Sequence, residues 1–102
     1  MEAERIRNIR EMEEILKKMT LLISDLHRAC ADWEEMLPAY KRLSDYYHSE
    51  QWMADREDAV ESERTDLLDS DLFGEDVLYD LCCDQRELAL YMAETALKAL
   101  AQ

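Results

Sequence analysis

The sequence predicts an all-α fold, and two observations carry that expectation. Only one of 102 residues is glycine and one is proline, too little turn chemistry for a β-sandwich or barrel. Apolar residues then recur at heptad spacing through the first 47 positions, the period of a helix that keeps one stripe against a partner. The expected architecture is one domain over residues 1–102. It is an antiparallel helical hairpin or bundle, with a long kinked N-terminal helix, a short acidic helix and a long C-terminal helix packed antiparallel to the first.

The first helix is expected over about residues 3–47. Ile9, Leu16, Ile23, Cys30 and Leu37 recur every seven residues, and so do Met12, Met19, Leu26, Trp33 and Tyr40. A third row, Ile15, Leu22, Ala29, Met36 and Leu43, widens the stripe beyond a two-stranded seam and suits a bundle. The opposite face carries Glu13, Glu14, Lys17, Lys18, Asp25, Arg28, Asp32 and Glu35. Glu13–Lys17 and Glu14–Lys18 have the favourable order for ion pairs four residues apart. Pro38 removes a backbone donor and crowds the preceding turn. Because the apolar register continues to Tyr40, Leu43 and Tyr47, a kink is expected there, with a turn at Leu37–Pro38 as the alternative.

A break is expected at His48-Ser49. Ser49 suits an N-cap, accepting a hydrogen bond from an early backbone N–H, and Glu50 suits the positive end of the next helix. That helix is expected over 49–60. Residues 61–74 read as irregular, with one turn at Asp66-Leu67-Leu68. Gly74 then caps a last helix over 75–101, with Glu75 and Asp76 in its first turn. Its apolar set includes Val77, Leu78, Leu81, Cys82, Leu88 and Met92, and Gln85 is a polar residue in the seam that can fix register.

Length arithmetic points to self-association. If Tyr47 and Glu75 mark one end of a hairpin, the last helix returns to about the level of residue 20. Residues 3–19 then project about 25 Å farther, at 1.5 Å per residue. That projection carries Ile6, Ile9, Met12, Ile15, Leu16 and Met19. Leaving such side chains in water forfeits roughly 1.5–3 kcal/mol each, so a homodimer is expected to cover them. The alternative is a chain folded back at Pro38 that covers them itself.

Charge narrows the function classes. Twelve Lys and Arg against 25 Asp and Glu give a net charge of −13, which disfavours direct contact with a phosphate backbone. No run of about 18 apolar residues exists, so no membrane span is expected. Met1-Glu2-Ala3-Glu4-Arg5 is charged without a following apolar core, unlike a secretory signal. Cys30 and Cys82 read as small core residues in a reducing, cytoplasmic setting, and Cys83 as a partly exposed thiol.

Two motifs carry a family resemblance. Tyr46-Tyr47-His48-Ser49-Glu50-Gln51-Trp52 and Leu72-Phe73-Gly74-Glu75-Asp76-Val77-Leu78-Tyr79-Asp80-Leu81 follow a helix with Leu-Pro near residue 37. Together they resemble a small bacterial family catalogued as domain of unknown function 4298, over nearly the whole chain. The family pattern has glycine where this chain has His48 and serine where it has Gly74. The resemblance implies a cytoplasmic, bacterial or phage-borne helical protein, and it implies no activity and no functional residues.

Between His48 and Asp76, eleven carboxylates face only Arg56 and Arg64, a net −9 within 29 residues. Asp55, Glu57, Asp58, Glu61, Glu63, Asp66, Asp69 and Asp71 are the candidate partner-binding residues. Such a segment either is a solvated face or imitates a nucleic-acid backbone and attracts a basic groove, as small acidic phage-type or anti-CRISPR-like inhibitors do. Asp69-x-Asp71-x-Phe73-Gly74 has the start of a calcium loop. Phe73 stands where an oxygen ligand belongs, and the twelfth position is Asp80 rather than glutamate. His27, Cys30, Cys82 and Cys83 lack zinc spacing, with no Cys-x-x-Cys. No cofactor or metal is therefore expected. Tyr46, Tyr47 and Trp52 are expected to pack the bend between the first two helices, with an exposed binding anchor as the alternative. There is no Gly-x-Ser-x-Gly and no phosphate-cradling glycine loop, so no enzyme is expected. The functional expectation is a non-enzymatic acidic helical protein-interaction module that self-associates. The alternative is an acidic nucleic-acid mimic that blocks a basic nucleic-acid-binding protein.

Overall fold

A computed structural model describes residues 1–74 and 76–102. All its regular elements are helical: α1 (Ala3–Tyr47), α2 (Glu50–Glu61), α3 (Thr65–Leu68), a 3-10 turn (Asp71–Phe73) and α4 (Val77–Leu100). The chain divides into two compact units, Met1–Ala39 and Tyr40–Gln102.

The helical residues of the first unit are those of α1 up to Ala39. Glu4 lies in its first turn, where a negative charge complements the helix dipole. Arg10 reaches Glu13 at 3.1 Å and Lys17 reaches Glu14 at 3.8 Å. These pairs are three residues apart, not the four-residue pairs Glu13–Lys17 and Glu14–Lys18 expected from order. Thr20 turns its hydroxyl inward and donates to the Leu16 carbonyl at 2.7 Å. No residue of α1 is buried.

The second unit opens with the last turns of α1, in which Pro38 is interior rather than terminal. The helix end is closed by the residues that follow. The Ser44 carbonyl accepts from the His48 backbone N–H at 3.0 Å and lies 2.7 Å from His48 Nδ1, which donates if it carries the ring proton. The Tyr46 carbonyl accepts from the Ser49 N–H at 3.1 Å and from its hydroxyl at 2.6 Å. Carbonyls that a helix C-terminus leaves unpaired are thereby satisfied. This corrects the expectation for Ser49. It occupies the N-cap position of α2 with an extended backbone, φ −95° and ψ 161°, but makes no side-chain cap bond. Its hydroxyl serves the helix behind it instead.

α2 ends in a reversal that the sequence does not announce. Glu63 has φ 53°, the left-handed region that glycine usually fills. Its N–H reaches the Val60 carbonyl at 3.1 Å, and the Arg64 N–H reaches the Ala59 carbonyl at 2.9 Å. This is the paired bonding of a Schellman ending, with a glutamate at the left-handed position. The next ten residues, expected to be irregular beyond one turn, hold α3 and the 3-10 turn. Gly74 closes that 3-10 turn, its N–H bonding the Asp71 carbonyl at 3.2 Å. It does not cap α4, whose first flanking residue is Asp76, so the C-terminal helix starts later than the expected residue 75. Glu75 itself lies outside the described residues.

Ala59 from α2, Phe73 from the 3-10 turn and Leu78 from α4 are the buried residues of this unit. Around them Tyr40, Leu43, Tyr46, Tyr47, Trp52, Leu68, Leu72 and Cys82 are half-buried. The neighbouring Cys82 side chain raises the Tyr40 phenol above its ordinary pKa, with burial adding to the effect. That contact sets the first turns of α4 against the end of α1 within the unit.

Candidate functional site

The motif Tyr46–Trp52 builds a junction. Trp52 lies edge-on to Tyr47, with ring centroids 5.1 Å apart and planes at 83°, and Tyr47 meets His48 at 5.0 Å and 70°. Both are the edge-to-face contacts that aromatic quadrupoles favour. Trp52 then faces Phe73 at 6.3 Å, and its indole N–H donates to the Leu72 carbonyl at 3.0 Å. Arg56, one turn along α2, donates to the Phe73 carbonyl at 3.3 Å. One helix face therefore holds the 3-10 turn by two backbone carbonyls and a ring. Tyr46, Tyr47 and Trp52 pack the bend, and they are not presented as an exposed anchor.

Asp55 is the polar centre of this junction. It accepts from the Tyr46 hydroxyl at 2.6 Å and from the Gln51 amide at 2.6 Å, one donor to each carboxylate oxygen. These bonds, that from Tyr46 first, hold its pKa below the ordinary carboxylate value. Burial, with help from the Asp55 charge, pushes the Tyr46 phenol up to about 12. Phe73, at the fifth position of the calcium-like stretch, is 7% exposed. A buried ring occupies the place where that loop needs an oxygen.

The eight sequence-selected carboxylates fall into two groups. Asp55 and Asp66 have internal partners: Arg64 forks onto Asp66 with bonds of 2.9 and 2.7 Å. That fork holds the Asp66 carboxyl below its usual range. Glu57, Asp58, Glu61, Glu63, Asp69 and Asp71 are exposed along α2 and the turns after it. Asp55, Asp58 and Arg64 also line an open cleft of about 450 Å³ floored by Ala59, Leu72 and Phe73. Sequence reading missed Arg64 and Tyr46 as partners of these acids. The two-residue spacing of Arg64 and Asp66 was the available signal for the first.

The apolar stripe lies in the other unit. Ile6, Ile9, Met12, Ile15, Leu16 and Met19 are 43–67% exposed. They share α1 with Leu22, Ile23 and Leu26, each about half exposed. Among the described residues no group of three or more His, Cys, Asp or Glu could hold a metal ion, and no helix is long and apolar enough to cross a membrane.

No curated protein and no solved structure matches the chain significantly. Residues 9–95, which include the α1 seam from Ile9 onward, the aromatic junction and most of α4, match a family described as a domain of unknown function. The chain belongs to that family, DUF4298.

Proposed function

We propose that this protein is a non-enzymatic interaction module that self-associates through the apolar stripe of its N-terminal unit. The observation that carries the reading is that Ile6, Ile9, Met12, Ile15, Leu16 and Met19 stand exposed on the stretch of α1 that lies in the first unit. An apolar surface of that extent normally marks a contact surface. The hairpin return of α4 along α1 belongs to the same reading. The nearness of Cys82 to Tyr40 supports it at the closed end. Light scattering tests the proposal: the wild-type chain is expected at twice its 12.1 kDa mass, and Ile9→Asp with Leu16→Asp at the monomer mass. A monomeric wild type overturns it.

A second reading draws on the six exposed carboxylates from Glu57 to Asp71. Presented along α2 and its following turns, they suit the basic groove of a nucleic-acid-binding protein. The expected signature is competition with duplex DNA for such a protein, with affinity falling steeply between about 50 and 200 mM salt. Neutralising Glu57, Asp58, Glu61 and Glu63 abolishes it. A flat salt response removes this reading.

A further inference from the structure

We propose that the cleft of the second unit receives an arginine side chain, flanked by apolar residues, from a segment of another protein. The inference needs neither self-association nor imitation of a nucleic-acid backbone. Three elements meet at the cleft. α2 brings Asp55 and Asp58, which share one helix face by their spacing, and Ala59, one turn on from Asp55. α3 brings Leu67, and the 3-10 turn brings Leu72 and Phe73. Ala59 and Phe73 are buried in the floor, whereas Leu67 is 41% exposed and open to cover. The floor is fixed before anything binds: Trp52 and Arg56 hold the Leu72 and Phe73 carbonyls at 3.0 and 3.3 Å. A pre-formed surface spares the complex the cost of ordering it.

Charge and shape choose the occupant. Arg64 also lines the cleft, but Asp66 engages its guanidinium at 2.9 and 2.7 Å, so its charge is balanced within the unit. Asp55 is held in place by the donors of Tyr46 and Gln51. Asp58 is exposed and takes no part in the ion pairs among the described residues. The cleft thus sets an uncompensated acidic rim over an apolar floor, within a stretch of net charge −9 that draws cations toward it. A side chain with a methylene stem and a cationic head matches both parts. Arginine matches better than lysine, because its planar fork takes both oxygens of a carboxylate such as that of Asp58. The cleft is open, with a volume of about 450 Å³. Small-molecule sites bury roughly 70–90% of their ligand, which an open cleft does not do. It suits instead a chain that lays one side chain in and covers Leu67 with its apolar neighbours.

Amide spectra of the full chain, labelled with nitrogen-15, test the proposal with three end-blocked peptides that differ only at their centres: Leu-Arg-Leu, Leu-citrulline-Leu and Gly-Arg-Gly. Leu-Arg-Leu is expected to give saturable shifts at Asp58, Ser62, Leu67 and Leu72. Citrulline removes the charge and glycine removes the apolar neighbours, and each is expected to weaken binding about tenfold. Asp58→Asn and Leu67→Ser, both at exposed positions, are expected to weaken Leu-Arg-Leu binding to a similar degree, with spectra that otherwise report an intact fold. Glu57→Gln removes the same charge from α2 outside the cleft and is expected to leave the affinity nearly unchanged. Absence of shifts with Leu-Arg-Leu, shifts confined to other residues, or equal binding of either control peptide overturns the proposal. Equal weakening by Glu57→Gln and Asp58→Asn assigns the binding to overall acidity; it overturns the cleft and leaves the nucleic-acid-mimic reading standing.

Discussion

Asp55 shows why a carboxylate count misjudges a surface. It sits in the most acidic stretch of the chain, yet Tyr46 and Gln51 occupy both its oxygens. Its pKa is depressed, so its stabilising contribution is present above the ordinary carboxylate value of 3.8 and is lost as pH falls through the lower folded value. For Tyr46, raised from 10.0 to about 12, the contribution is intact below pH 10 and lost as pH climbs from about 10 to 12. Trp52 fluorescence is expected to report loosening of the junction at both extremes. Tyr46→Phe should remove the alkaline transition and weaken the acid one. Glu63 offers a test of opposite sign. Its φ of 53° is costly for a residue with a Cβ, so Glu63→Gly is expected to stabilise the second unit by about 0.5–1 kcal/mol in urea unfolding. Neither feature was legible beforehand. Asp55 depends on a contact nine positions away, and nothing in Ser62-Glu63-Arg64 advertises a left-handed residue.

At the level of elements, the heptad rows made α1 legible because helical period and apolar spacing coincide over more than four heptads. α4 was legible for the same reason except at its start. Local chemistry misled there: Gly74 resembles a cap, but its N–H closes the 3-10 turn. Short elements without periodicity, α3 and the 3-10 turn, are held by tertiary contacts from α2 and so leave little trace in local sequence. Phe73 is their anchor, buried against Trp52. Phe73→Ala removes a buried ring from a small core and is expected to cost about 3–5 kcal/mol. Helicity of residues 40–102 should fall, measured by amide exchange.

For the whole molecule, composition carried the fold class and the acidity, and the two-motif resemblance carried the family. On the self-association reading, the assembled state depends on what the apolar stripe meets. Because the proposed contact is mainly apolar, its solution mass is expected to hold between about 100 and 500 mM salt, where exposed ion pairs are largely screened. Dissociation should instead follow dilution.

The two tryptophans of this chain fall one to each unit, Trp33 in the first and Trp52 in the second. Trp52 is tied to a carbonyl and two rings of its own fold, whereas Trp33 lies on the seam that a second copy would cover. The protein thus carries two native optical probes, one in each unit. Trp33→Phe leaves an emission spectrum that reports the aromatic junction, and Trp52→Phe one that reports the surroundings of Trp33.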